Sequence, residues 1–426
     1  MNKLTYRQRA ILCVIGGFML TTGGGFSASL SLFLIPVTTE YGFSQASFST
    51  YLALMSWFGI VSHPLLGRLF ARYAKHIRLI TLIAAFYGFL CFFLLSKSSA
   101  LGQFYTVGSM ISMLLPIAGP SLGMAVVSWW FTSGRSIAIS CVAIGASVGT
   151  VFYAKVTEQV IQSYGWRAGY LSCAVMIFIV TAIGALLIAP PPEYTAQAAE
   201  ISSEKSHSES DAPSTADSSV TLGELIKNPT FRLICLVPFF GMIYVMLIQQ
   251  SIVPMLQIDF HQEPSTAATL LSVYSIVCAC FKPVMGFIYK RFGKPAAILY
   301  IGVLITFASL LIFFSKNIGA AVLAIVLIGA GNMLAMVLLP SIVSDLFGAR
   351  NYPVVNGYVS IFFTIGAGIG PIAGGKIFDL TGSYRIAFLT IAILCLITTF
   401  ILLYTVRNKQ TKSDKNIIRF NEEASR

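Results

Sequence analysis

Charge is what this chain has least of. Only 10% of its 426 residues are Asp, Glu, Lys or Arg, where a soluble domain carries roughly 25%, so the chain cannot keep a large surface wet. The acids are scarcest where they would matter most: none of the 16 Asp and Glu residues falls in the middle of a long apolar run. A carrier of cations needs a buried carboxylate, as do most proton-coupled drug exporters, and this pattern disfavours both. Cysteine chemistry is missing too. The eight cysteines lie within apolar runs, with no CxxC spacing and no nearby histidine, so no metal site is expected and they read as small apolar residues. There is no HExxH helix and no set of convergent carboxylates, which leaves an intramembrane enzyme least favoured. No cofactor is implied.

What the chain does have is long apolar runs, such as Ala10 to Ile35 and Ala296 to Phe314, and about 20 such residues cross the core of a bilayer. The runs predict twelve membrane helices, near 10–36, 46–67, 79–96, 101–128, 136–157, 168–189, 231–256, 266–289, 296–314, 318–344, 354–377 and 385–406. Lys3, Arg7 and Arg9 precede the first run as they would a secretory signal. That run is too long and has no small-residue cleavage site, so it reads as a retained helix.

The basic residues give the orientation. Of 28 Lys and Arg, six fall at one end of the helices (Lys97, Lys155, Arg167, Lys316, Lys376 and Arg385), Lys282 lies inside the eighth helix, and the rest fall at the other end. The positive-inside rule then puts both termini in the cytoplasm of a multi-pass protein of the inner, or plasma, membrane. It also accounts for the net charge of +12, and no nucleic-acid partner is needed to explain it.

From Pro190 to Asn228 the composition turns to Ser, Glu, Asp, Ala and Thr, behind the triplet Pro190, Pro191 and Pro192. Such a segment cannot bury enough apolar surface to fold and reads as a cytoplasmic tether. The expected organisation is a six-helix bundle over 1–189, a linker over 190–230, a second bundle over 231–408 and a tail over 409–426. The bundles read as repeats. Gly67, Arg72 and Lys75 follow the second helix as Gly286, Arg291 and Lys294 follow the eighth, 219 residues on; Arg167 and Arg385 repeat at 218. Transporters built from parallel repeats bind substrate between the halves, near the midplane.

These residues resemble the major facilitator superfamily, whose loop signature is kept at Arg72 and Arg291 but has Ala71 and Lys290 in place of its Asp. The resemblance implies an all-α fold of twelve helices in two pseudo-symmetric bundles that transports by alternating access, as a monomer. The missing Asp helps hold the cytoplasmic side shut against a helix dipole in that family, so other contacts must latch this chain. Three stretches are most similar to the monocarboxylate transporter and oxalate/formate exchanger branches. They are Phe131, Arg135 and Ala138 with Gly145 to Gly149; Gly370, Pro371, Gly374, Asp379 and Thr381 to Tyr384; and Lys282 and Pro283 with Gly286. Glycines at four-residue spacing, such as Gly145 and Gly149 or Gly366, Gly370 and Gly374, read as close-packing faces.

Lys282 is the most informative residue. A lysine in a membrane helix costs several kcal/mol unless water, a partner or a ligand meets it, though with a helix end at Gly286, only about 6 Å away, it has the alternative of snorkelling. Pro283 is expected to interrupt the helix and free the carbonyl of Ala279. Cys278, Ser275 and Tyr274 stand four, seven and eight residues earlier and share its face, a setting for a small anion. By the resemblance, position 278 carries an Asp linked to proton coupling in the monocarboxylate transporters, and a lysine stands in the first helix near Ala28; both are absent here. Tyr244, Asn332, Ser360 and Thr364 are further polar residues at midplane depth. Gln249 and Gln250 lie toward one end of the seventh helix, and His63 precedes Pro64 near the end of the second. Glu158, three residues from Lys155, is expected to form an interfacial ion pair.

The expected function is secondary or facilitated transport of a small organic anion, a monocarboxylate, with protons as a further possible partner. The alternatives are efflux of drugs or amphiphiles, in keeping with 32 Phe and 18 Tyr, and a non-transporting membrane sensor, for which the linker and tail leave little room.

Overall fold

A computed structural model describes residues 6–130, 135–189, 229–334, 338–339, 342–343 and 352–424. Among them every regular element is helical. Seven stretches are long and apolar enough to cross a membrane, and two of these, Cys141–Leu187 and Pro264–Phe314, are each two passes. They are broken at Gly165 (φ 82°) and Gly293 (φ 81°), in a region of backbone space that side-chain-bearing residues avoid. The order is α1 (6–41), α2 (45–72), α3 (Ile77–Lys97), α4 (101–130), α5 (135–164), α6 (166–187), α7 (Pro229–Ile258), α8 (264–292), α9 (294–314), α10 (from Ile318), α11 (Tyr352–Thr381) and α12 (Arg385–Ala424). These are the twelve expected passes. The linker lies outside the described residues apart from 229 and 230, where α7 begins. The expected tail is drawn into α12, whose backbone meets neither Gly nor Pro before Ala424.

Two helix expectations are corrected. Pro283 does not interrupt α8, which keeps helical backbone angles through it and breaks only at Gly293; a proline's fixed φ suits a helix even where its missing N–H does not. Nor does α8 end at Gly286. The segment Gly145 to Gly149, spelled Gly-Ala-Ser-Val-Gly, lies inside unbroken helix, not on a strand-to-helix elbow.

The chain gathers into two compact units. The first takes the described parts of Met1–Pro213 with Gln249–Ala279 and Pro371–Tyr384; the second takes those of Ser214–Ile248, Cys280–Gly370 and Arg385–Arg426. In the first, α1, α3, α4 and α6 bury Cys13, Leu20, Ala84, Leu122, Trp130 and Ile188 in one apolar core, and α5 packs on α1 backbone to backbone. A Cβ on Gly145 would lie 2.5 Å from the carbonyl oxygen of Phe18, so the glycines at four-residue spacing do set a close crossing. The opposite faces are apolar and exposed: Ile83, Phe86, Leu90 and Phe93 form a stripe along α3, the surface expected of a helix facing lipid.

Candidate functional site

Several helices lose their regular form partway along. In α1 the helix stops at Gly23 and resumes at Phe26 after three consecutive glycines. In α4 it stops at Ile111 and resumes at Pro120, across a stretch with Pro116 at its centre. The two breaks meet: a Cβ on Gly24 would lie 2.7 Å from the carbonyl oxygen of Ala118. Ser62 of α2 donates to the carbonyl of Ser112 at 2.9 Å, at the start of the α4 break. In the second unit, regular helix in α10 ends at Gly331, with Asn332 out of helical geometry (ψ 57°). Position 332 is the 219-residue repeat of 113, so the breaks in α4 and α10 correspond. Irregular backbone at membrane depth is tolerated where protein or a water-filled cavity satisfies it. Sequence reasoning singled out Asn332 as a polar side chain but missed the breaks, for which the three glycines at 23–25 and the pair Pro116 and Pro120 were the available signals.

On α8, Tyr274, Ser275 and Cys278 are all buried (6, 5 and 9% exposed), and the Ser275 hydroxyl donates back to the carbonyl of Leu271 at 3.1 Å. Lys282 is half-buried on the next turn. The helix continues past Lys282 to Gly293, with Lys290 and Arg291 exposed in its last turn. Tyr244 is fully buried on α7, while Thr364 is half-buried on α11 with its hydroxyl given to Ser360 at 2.8 Å. His63 turns its Nδ1 to the carbonyl of Gly59 at 2.9 Å.

At the end of the first unit that carries Gly42, side chains far apart in sequence are tied together. Asp379, in the last turn of α11, accepts from the backbone N–H groups of Gln45 and Ala46, each at 2.9 Å. These are among the donors that the first turn of α2 leaves unsatisfied, at the positive end of its dipole. Gly375, one turn earlier, lets the backbones approach: a Cβ there would lie 2.6 Å from the nitrogen of Ala46. The phenol of Tyr384, stacked on Phe378 at 5.0 Å, donates to the side-chain oxygen of Gln45. Burial, then the nearby carboxylates of Asp379 and Asp259, push that phenol above the usual tyrosine range. Gln250 of α7 donates to the carbonyl of Ser27 at 3.4 Å.

Each sequence half also ties its first helix to its sixth at this end. Glu40 accepts from Trp166 at 2.5 Å and pairs with Arg167 at 2.8 Å. Asp259 accepts from the Ser383 hydroxyl at 2.6 Å and the Tyr384 N–H at 2.9 Å. Positions 40 and 259 are 219 apart, as are Gly42 and His261, both at positive φ (67° and 52°). The repeat thus extends to the architecture of the loops.

A model of the Major Facilitator Superfamily matches residues 13–251 and 239–424. The chain belongs to the Major Facilitator Superfamily. It is 23% identical over 375 residues to the uncharacterized MFS-type transporter YhjX of Escherichia coli, covering 86% of this chain and 88% of that one. It is 30% identical to the protein spinster of Drosophila melanogaster, over 148 residues that cover 34% of this chain and 24% of spinster. Among solved structures, a bacterial homolog of the human lysosomal transporter Spinster superposes with a TM-score of 0.73 at 13% identity, covering 95% of this chain and 98% of that one. The nucleoside transporter NupG gives a TM-score of 0.70, also at 13% identity, covering 93% of this chain and 99% of that one. At those identities the likeness is one of fold.

As a superfamily member the chain is a multi-pass membrane transporter working by alternating access. Of its signature residues, Arg291 and Gly286 are exposed on α8 and Gly370 and Pro371 are buried within α11; the side-chain positions of Gly67, Arg72 and Arg135 lie outside the described residues.

Proposed function

We propose that this transporter carries a small organic anion, of the monocarboxylate class, and that Lys282 is the cation that meets it. The observation that carries the reading is the setting of Lys282: a half-buried lysine within α8, N-terminal to the exposed Lys290 and Arg291 of its last turn and one turn beyond buried Cys278, Ser275 and Tyr274. A charge within a membrane helix is costly to hold, and an arriving carboxylate offsets part of the cost. Tyr244, Asn332 and Thr364 contribute polar contacts from α7, α10 and α11. Gly67, Arg72, Gly286, Arg291 and Arg135, with Gly370 and Pro371, serve the gating loops and helices. In the orientation chosen by the basic residues, the Gly42 end faces away from the cytoplasm. Transport is exchange or uptake driven by the anion's own gradient. Proteoliposomes loaded in turn with a panel of labelled monocarboxylates, dicarboxylates, nucleosides and amphiphilic dyes test the class. Accumulation of carboxylates supports it; accumulation of nucleosides or dyes alone overturns it.

A further inference from the structure

The ion pair expected between Lys155 and Glu158 on α5 does not form: Glu158 is turned into the bundle, 3% exposed, while Lys155 is half-buried. Other polar groups of α5 do meet partners from elsewhere. Tyr153 and Thr157, four residues apart and so on one face of the helix, are fully buried together with Tyr51 of α2 and with Tyr170 and Cys173 of α6. The Thr157 hydroxyl and the Cys173 thiol form a hydrogen bond of 3.2 Å. All three phenols lie within electrostatic reach of that thiol. Those of Tyr51 and Tyr170 also approach each other, without reaching hydrogen-bond geometry. The hydroxyl oxygens of Tyr51, Tyr153 and Tyr170 are each enclosed, and none has a hydrogen-bond partner.

Hydroxyls elsewhere in the chain find acceptors. Tyr87, Tyr105 and Tyr300 give theirs to backbone carbonyls at 2.8, 2.7 and 3.2 Å, and Thr150, two turns before Thr157, gives its own to the carbonyl of Ala146 at 3.1 Å. A buried hydroxyl without a partner is disfavoured, and direct pairing cannot satisfy this set. A bond between Tyr51 and Tyr170 would use one hydrogen and leave the other, and Tyr153 would gain nothing. A water molecule brings two donors and two acceptor sites to groups arranged around one point. We infer that Tyr51, Tyr153, Tyr170 and the Thr157–Cys173 pair hold a buried water that ties α2 to α5 and α6. Its oxygen accepts from phenols, and its hydrogens go to a phenol oxygen and to Cys173 Sγ. Rings wall the place: Phe33 stacks on Tyr170 at 3.8 Å with Trp166 at 6.0 Å, and Phe48 and Phe104 lie 4.9 and 6.3 Å from Tyr51. Enclosed in this way, the site takes water and not the transported anion. In lipid, where no hydrophobic drive holds helices together, polar ties of this kind do. The inference is independent of the substrate class.

The test is X-ray radiolytic labelling of the full chain in lipid nanodiscs without substrate. Hydroxyl radicals formed from a bound water oxidise the side chains around it, even where bulk water does not reach. Tyr51, Tyr153 and Tyr170 should label several-fold faster than Phe26 and Phe92, which are equally buried in the same unit and pack ring to ring. After rapid mixing into water enriched in the heavy oxygen isotope, that isotope should appear at the exposed Tyr164 before it appears at the three phenols. Labelling of the three no faster than that of Phe26 and Phe92 means a dry cluster and overturns the inference. Tyr153→Phe keeps the ring and removes one partner of the water, so labelling at Tyr51 and Tyr170 should fall; unchanged labelling at both overturns the shared site. Should Tyr153→Phe not accumulate, the wild-type comparison decides by itself. Since no substrate is present, failure of carboxylate transport leaves this result intact.

Discussion

Asp379 accepts a 2.9 Å hydrogen bond from the backbone N–H of Gln45, so the last turn of α11 is tied to the first turn of α2, 334 residues away in sequence. A second bond of the same length goes to Ala46. Asp379→Asn keeps the shape but removes the charge from the dipole. Because the site is partly exposed and screened, the expected loss is about 1–2 kcal/mol, or roughly 5- to 30-fold, toward the parted state. Distances between spin labels on α2 and on α11 read this directly, and an unchanged distribution would show the bonds to be incidental.

Gly375 should be as sensitive for a different reason. Its missing Cβ makes room for the backbone of Ala46 and Gln45, and backbone cannot swing aside as a side chain can. Gly375→Val should therefore empty the short-distance population by more than about tenfold while leaving the protein inserted. A normal closed population in that variant would mean that α2 and α11 do not need this approach.

Tyr384 makes the third tie, through Gln45. Tyr384→Phe should weaken closure by about 1 kcal/mol. Because burial and the neighbouring carboxylates raise the phenol's pKa, its contribution is fully present below the ordinary tyrosine value of about 10 and falls only above it. The difference between wild type and Tyr384→Phe should thus be constant from about pH 6 to 9. A difference that varies within that range would contradict the assignment.

The twelve passes were legible in the sequence because lipid imposes one length and one composition on every spanning helix. Helix ends were less so. Nothing in the local composition stops α5 at 157 or α8 at 289, and the true stops at Gly165 and Gly293 are set by backbone angles. That difference left Lys282 and Glu158 further from their helix ends than expected. The repeat was legible through identical residues, Gly67 and Gly286 or Arg167 and Arg385. Its structural counterparts, Glu40 with Asp259 and Gly42 with His261, went unseen because the residue types differ while the geometry is kept. Asp379 stood out only as a marker of family likeness; a bond between residues so distant leaves no local pattern to read.

Lys282 bears the central claim. In proteoliposomes loaded for counterflow with labelled monocarboxylates, Lys282→Ala should lose uptake by about 30-fold or more, the expected cost of leaving an anion without its cation in a desolvated site. Lys282→Arg should retain part of it, with both variants inserted at wild-type levels. Uptake by Lys282→Ala at the wild-type rate would contradict the account.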